Sequence, residues 1–281
     1  MPARPSIADK RRTFHQLHAQ GCFLIPNPWD IGSARFLQGL GFKALATTSA
    51  GFAWSMARPD GAITRDMALE HLREIVAATD VPINADFENG FAADAAGVAE
   101  SVRLAVATGV AGLSIEDSTG NAASPLFDID TAVTRMRAAR GAIDKAGGDT
   151  LLVGRAECFL VGKPDLEDTI ARLKAYAQAG ADCLYAPALR TREHIAAVVK
   201  AVAPKPFNLL VGWPSDMTLK DIAELGVRRV SVGGALARTA WGGFLRTARM
   251  LADEGRFDGL KEGAPGQELN AFFRDDMKRS G

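Results

Sequence analysis

Two short acidic motifs carry the first chemical signal in this chain. Asp86-Phe87-Glu88 directly follows Pro82-Ile83-Asn84-Ala85, and Glu116-Asp117 directly follows Leu113-Ser114-Ile115. Carboxylates gathered at one place repel one another unless a cation neutralises them. Hard oxygen ligands with no His or Cys among them suit Mg2+ or Mn2+, with several waters retained. Arg155, in Gly154-Arg155-Ala156-Glu157, adds a planar fork that matches a carboxylate. A divalent ion beside an arginine clamp describes a site for a small anionic oxo- or hydroxy-acid. Plainer roles stand beside these. Asp117 suits a helix cap, Arg155 suits a pair with Glu157 or Glu116, and Asp60 in Arg58-Pro59-Asp60-Gly61 suits a turn. Ser49 lacks both a G-x-S-x-G context and a histidine partner, so it reads as a hydrogen-bond donor, not a nucleophile. No histidine is placed to activate Cys158, which reads as a packing residue.

These groups can act together only if the fold brings them to one rim. Eight short apolar runs, at 22–25, 43–47, 81–85, 112–115, 150–154, 182–185, 206–210 and 229–232, read as strands. Between and after them lie segments of helical period at 30–40, 64–79, 94–108, 128–146, 165–179, 191–202, 218–225 and 234–254. Asp, Thr or Ser opens many of these segments, as N-caps require. Gly41, Gly109, Gly148, Gly180 and Gly226 close several just before the next strand. Strands alternating with helices imply parallel βαβ units. Eight in series most naturally close into a (β/α)8 TIM-type barrel. An open doubly wound sheet is the competing architecture, but no G-x-G-x-x-G follows the first strand. A barrel places its chemistry at the C-terminal strand ends. The acidic motifs, Arg155, Asn27, Asp30, Ser49-Ala50-Gly51, Asn208 and Gly233-Gly234 all fall there. The chain reads as one barrel domain over 1–281. From about 255 it adds a C-terminal helical extension, with an amphipathic stretch at 269–277 that docks on the rest.

Composition narrows the function classes. Lys+Arg and Asp+Glu are 33 each among 281 residues, for a formal net charge of zero. That argues against a nucleic-acid partner and removes any electrostatic case for a membrane surface. Apolar runs fall short of the ~18 residues a membrane helix needs. Three scattered cysteines form no disulfide framework or zinc motif, which points to a reducing, cytoplasmic setting. Met-Pro-Ala-Arg-Pro-Ser at the start leads into no apolar h-region of a signal peptide. None of the four histidines is paired at metal-ligand spacing.

The ordered set Asn27-Pro28-Trp29-Asp30, Thr47-Thr48-Ser49-Ala50-Gly51, Asn84-Ala85-Asp86-Phe87-Glu88-Asn89-Gly90, Gly112-Leu113-Ser114-Ile115-Glu116-Asp117, Gly154-Arg155-Ala156-Glu157 and Arg229-Val230-Ser231-Val232-Gly233-Gly234 resembles the isocitrate lyase/phosphoenolpyruvate mutase superfamily. The likeness runs from about residue 21 to 254. It implies a modified (β/α)8 barrel whose last helix is swapped onto a neighbouring subunit, with dimers paired into homotetramers. It implies that Asp86 carries Mg2+ (or Mn2+), with Glu88 and Glu116 holding the ion mostly through water, and that Asp60 lies near the metal or the reacting group. By the same resemblance Ser49 and the Ala50 and Gly51 amides bind one end of the substrate. Arg155 binds its carboxylate, Asn208 lines the far side, and Trp29 and Asp30 belong to the substrate-binding set.

The resemblance also has departures. Isocitrate and methylisocitrate lyases of this superfamily carry a K-[KR]-C-G-H loop after the fourth strand. Here that stretch is Ser118-Thr119-Gly120-Asn121-Ala122-Ala123-Ser124-Pro125, without Cys, Lys or His. The phosphonate-cleaving relatives usually hold a longer, lysine-containing gate there. Ala186-Pro187-Ala188 stands where lyase relatives tend to place a Glu. The implied activity is an Mg2+-dependent lyase or decarboxylase that breaks a C–C bond in a small α-oxo or α-hydroxy di- or tricarboxylate. The alternatives are a P–C bond enzyme of the mutase or hydrolase type, and a catalytically weak binder of 2-oxo acids.

Overall fold

The alternation in the sequence is realised strand for strand. The structure is a computed structural model that describes residues 4–280, with side chains to Lys278. The strands are β1 (Phe23–Ile25), β2 (Leu45–Ala46), β3 (Ile83–Asp86), β4 (Gly112–Glu116), β5 (Leu151–Arg155), β6 (Cys183–Tyr185), β7 (Phe207–Leu210) and β8 (Arg229–Ser231). All pairings are parallel, in the order β1-β8-β7-β6-β5-β4-β3-β2. Two bonds stitch β1 to β2: Ala46 N donates to Pro26 O at 3.1 Å, and Asn27 Nδ2 to Thr47 O at 2.9 Å. The result is the predicted (β/α)8 barrel.

The helices are α1 (Ile7–Ala19), α2 (Ile31–Gly39), α3 (Ser49–Ser55), α4 (Arg65–Ala78), α5 (Ala95–Ala107), α6 (Ile129–Lys145), α7 (Leu166–Gln178), α8 (Arg192–Val202), α9 (Leu219–Glu224), α10 (Ala235–Glu254) and α11 (Gly266–Ser280). Asp30, Thr64, Asp94, Asp128, Asp165, Thr191 and Thr218 each accept a hydrogen bond from a first-turn amide. Their oxygens satisfy donors that the first turn leaves unpaired. Gly180 and Gly226 turn out of their helices at φ +104° and +86°, where a Cβ would be strained. The helices' apolar faces wrap the sheet in one buried cluster that includes Leu69, Val98, Met136, Tyr176 and Ile195.

Two helices lie outside the periodic pattern of the sequence. In α1, Lys10 and Arg11 are buried because they bond to backbone carbonyls of Val76, Thr79, Val106 and Val110, so its apolar stripe is weak. Its Phe14 packs with Ile25, Ala44, Ala111 and Leu151 and plugs the N-terminal end of the barrel. The short α3 sits in what reads as a loop after β2. Within the C-terminal extension the helix is longer than the amphipathic stretch at 269–277. Its α11 docks on α2 of its own chain, with Phe272 at 4.6 Å from Phe36 and Arg35 Nε at 2.6 Å from Asp276 Oδ2. By contrast α10 buries only Ala237 and leaves Leu236, Phe244, Leu245 and Leu251 exposed. Among the described residues no helix is long and apolar enough to cross a membrane.

Candidate active site

The strand ends bring the acidic motifs to one mouth. Asp86 closes β3, and its Oδ2 accepts from both Ser49 N and Ser49 Oγ at 3.0 Å. Its own amide donates to Thr47 Oγ1 at 3.0 Å. These three bonds tie the β2 and β3 ends together and fix where the carboxylate points. Glu88 follows in a tight turn with φ +48°, an uncommon conformation for a side-chain-bearing residue. Glu116 closes β4, and its amide donates to Glu88 O at 3.0 Å.

Arg155 closes β5 and is the hub. Its Nη1 lies 3.0 Å from Asp86 Oδ1 and 3.2 Å from Glu116 Oε2, and its Nε pairs with Glu157 Oε1. Its guanidinium stands over the Tyr185 ring at 5.1 Å. The guanidinium is therefore not a free clamp here. It is shared among three carboxylates, so the plainer reading of Arg155 pairing with Glu116 or Glu157 is what the geometry shows, with Asp86 added. Glu88 and Asp60 stand in the same electrostatic field, which sets five carboxylates against one guanidinium. Glu88 is pushed up to about 7, first by burial and then by Asp86 and Asp60. Burial likewise raises Glu116 well above the usual carboxylate range, against the pull of Arg155. Partial desolvation and the charge of Asp86 raise Asp60 at the rim.

Two adjoining cavities open on this cluster. One, of about 160 Å3, reaches into the barrel past Ser49, Asp86 and Arg155 to Asn208 and Arg229. The other, of about 450 Å3, lies outside it between Glu88, Glu116, Asp60 and the Ser118–Gly120 stretch. That stretch is one arm of a small hairpin, bridged Ser118 to Leu126 and pinned by Asn89 Nδ2 to Ser118 O at 3.2 Å.

The acids at the mouth offer a metal only oxygen donors, and among the described residues Glu88 Oε1 is buried with no hydrogen-bond partner. That orphan atom and the surplus negative charge fit a hard divalent cation. Among the described residues no three His, Cys, Asp or Glu side chains are already gathered as a ligand set, so any such ion would rely on waters to complete its shell.

Several anticipated residues are used differently. Asp30 is exposed and caps α2, accepting from Ser33 N at 2.7 Å. Trp29 and Gly51 pack together: a Cβ at Gly51 would stand 3.0 Å from Trp29 Cβ and 2.7 Å from Thr48 Cγ2. The Gly51 amide is taken by Thr48 Oγ1 at 3.2 Å. None of these three lines either cavity. Ala50 and Asn208 do line the inner one. Asp117 is no cap. It turns away from the mouth, accepting from Glu157 N at 2.8 Å, Arg172 Nη1 at 3.1 Å and Tyr176 Oη at 2.6 Å. Cys158 is buried and its thiol is pushed up to about 11 by burial, as suits packing. The sequence reading assigns no site role to Tyr185, Thr47, Asn84, Ser114 or Arg229, yet they line the inner cavity. Their signal was there: polar residues at inward positions of otherwise apolar strands.

The family model for phosphoenolpyruvate phosphomutase matches residues 14–252. The chain belongs to that family. It is an enzyme, a carbon–carbon lyase of the superfamily that phosphoenolpyruvate mutase shares with isocitrate lyase. A crystal structure from Burkholderia cenocepacia J2315, assigned as a lyase/mutase, shares 47% identity over 95% of this chain and 97% of that one, with a TM-score of 0.92. An oxaloacetate decarboxylase from Paraburkholderia xenovorans is 30% identical, over 81% of this chain and 76% of its own. The structure of 2,3-dimethylmalate lyase, a member of the same superfamily, shares 26% identity with a TM-score of 0.83, covering 99% of each chain.

Proposed function

We propose that the chain is an Mg2+-dependent lyase or decarboxylase that breaks a C–C bond in a small α-oxo dicarboxylate of the oxaloacetate type. The observation that carries this reading is the cluster at the barrel mouth: five carboxylates, one shared guanidinium and the unpartnered Glu88 Oε1. The 30% identity to oxaloacetate decarboxylase supports the choice of acid. Asp86, Glu88 and Glu116 would hold the cation. When bound, it supplies Lewis acidity toward the oxo group of the substrate. The chain's own groups do the rest. Ser49, whose amide and hydroxyl both point at Asp86, presents donors beside the reacting end. Arg155 balances charge between the acids and the substrate carboxylate. Leu160 and Tyr185 wall the cavity, and the Ser118–Leu126 hairpin, built of small residues, roofs the outer chamber and limits water. In the reaction the bond to the departing carboxylate breaks, CO2 leaves, and the electron pair is delocalised onto the 2-oxo oxygen before a proton restores pyruvate. We further propose a homo-oligomer, because the apolar face of α10 is uncovered in the single chain.

Pyruvate release from oxaloacetate, methylisocitrate, dimethylmalate and phosphonopyruvate, with Mg2+ and with EDTA, tests the reading. Oxaloacetate should turn over and EDTA should stop it. Pyruvate from phosphonopyruvate alone would transfer the chain to the P–C class. Asp86→Ala should abolish turnover while its circular dichroism stays that of the parent. Undiminished turnover in that variant removes the assignment of Asp86.

A further inference from the structure

Arg229 is a second guanidinium on the inner cavity beside Arg155, and it is not part of the acidic cluster. It opens β8 and is 2% exposed. Its Nε donates to Asn208 Oδ1 at 2.7 Å. Its Nη1 lies 3.3 Å from Asn84 Oδ1 and 3.4 Å from His18 Nε2. The His18 Nδ1–H donates to Phe14 O at 2.8 Å, which leaves Nε2 as the acceptor. Burial, then Arg229 itself, pulls the ring down to about 3, so His18 is neutral. Every partner of Arg229 is therefore uncharged. Other buried arginines answer a carboxylate: Arg11 with Asp149, Arg35 with Asp276, Arg172 with Asp117. Arg135 does not, but it donates to the carbonyls of Asn89, Ala92 and Ala93 and lines neither site cavity. Arg229 does line the inner cavity. Its Nη2 has no hydrogen-bond partner among the described residues and is not one of the sealed orphan atoms. An uncompensated cation out of water is costly unless an anion meets it.

The strand register fixes where that charge sits. Arg155, Tyr185, Asn208 and Arg229 are successive lateral partners across β5, β6, β7 and β8. Arg155 ends its strand and Arg229 begins its own. The line descends from the acidic mouth to the floor, and both ends border one cavity of about 160 Å3. Ser114, Ser231 and Asn27 also border it. An acidic, cation-seeking mouth thus faces a floor with one unanswered positive charge.

We infer that Arg229 binds the far carboxylate of the substrate, so that the site takes a short dicarboxylate lengthwise, one end on Arg229 and the reacting end beside Asp86 and Ser49. This rests on the reading of the chain as a lyase for small α-oxo acids and names the residue that selects for a second anionic end. A ligand that lacks that far carboxylate would leave Arg229 unpaired and bind more weakly.

The test compares succinate with succinamate, its monoamide, which has the same shape and one charge fewer. Thermal stabilisation of the full chain by each is measured in magnesium-containing buffer, for the parent and for Arg229→Gln. The parent should prefer succinate about tenfold or more, and the preference should vanish in R229Q. In turnover of oxaloacetate, R229Q should raise KM more than it lowers kcat. Asn208→Asp covers the case in which R229Q does not fold. It places a carboxylate on Nε, so Arg229 is answered from within and the preference should vanish with the guanidinium still present. An unchanged preference in a folded variant overturns the assignment. So does a parent that does not distinguish the two ligands, and oxaloacetate turnover alongside would leave the lyase reading standing. A preference that disappears in R229Q, in a parent that turns over no oxo acid, keeps Arg229 as the anchor and sinks the lyase reading instead.

Discussion

At the level of single side chains the site is a problem in charge. Three of the five acids share Arg155, and a lysine there could not fork between Asp86, Glu116 and Glu157. Arg155→Lys should lower kcat/KM by about two orders of magnitude; a drop of less than threefold in steady-state assays would count against a role at the site. His71 offers a separate check on burial. Its ring stacks on Phe52 at 4.0 Å and its Nε2 is sealed without a partner. Burial lowers it to about 4 from an ordinary 6.5, against the weaker pull of Asp30. Between those values the unfolded chain binds a proton that the fold refuses, so this group's contribution falls as pH drops through that window. The slope is about 1.4 kcal/mol per pH unit. His71→Leu should flatten the acid limb by that amount, read from urea midpoints at pH 4.5, 5.5 and 6.5.

Among the elements, α3 lines the inner cavity with Ser49 and Ala50 and α1 touches its Arg229 through His18, though neither helix belongs to the regular alternation. α3 carries Ser49 to Asp86 and seats Gly51 under Trp29 and Ala237. A methyl at Gly51 would meet Thr48 Cγ2 at 2.7 Å and Ala237 Cβ at 3.1 Å. Gly51→Ala should therefore cost about 1–3 kcal/mol of stability. Because the strain falls on α3, it should also weaken substrate binding. Chemical denaturation with a parallel KM measurement checks both; a neutral variant would show that α3 shifts without consequence. α1 seals the opposite end of the barrel with Phe14 and supplies the neutral His18 beneath Arg229. Its buried charges explain why amphipathic periodicity does not reveal it.

For the molecule as a whole, the ring of strands concentrates negative charge at one mouth while the chain's formal net charge is zero. The contrast is local, so the proposed cation would be drawn to the mouth and not to the surface at large. The other large-scale feature is α10, with Phe244 60% and Leu245 41% exposed. This uncovered apolar face is what the proposed interface between chains rests on. Phe244→Glu together with Leu245→Glu should shift the protein to a smaller species in light scattering after gel filtration. A parent that runs as a monomer would remove the proposed oligomer.

The sequence by itself determined the barrel. Eight strand runs, seven Asp or Thr caps and the glycine stops are local signals, each set by backbone sterics within a few residues. It also determined that Asp86, Glu88, Glu116 and Arg155 share a rim, because strand ends in a barrel must converge. Only the tertiary structure decided what those groups do to one another: that Arg155 is divided among three acids, that Asp117 faces α7, and that Asp30, Trp29 and Gly51 serve caps and packing. Arg229 belongs to the same class. Its lack of a counter-charge follows from Asn84, Asn208 and His18, which lie 145, 21 and 211 residues away along the chain. Contacts over such distances depend on register and burial, which no short stretch of sequence encodes.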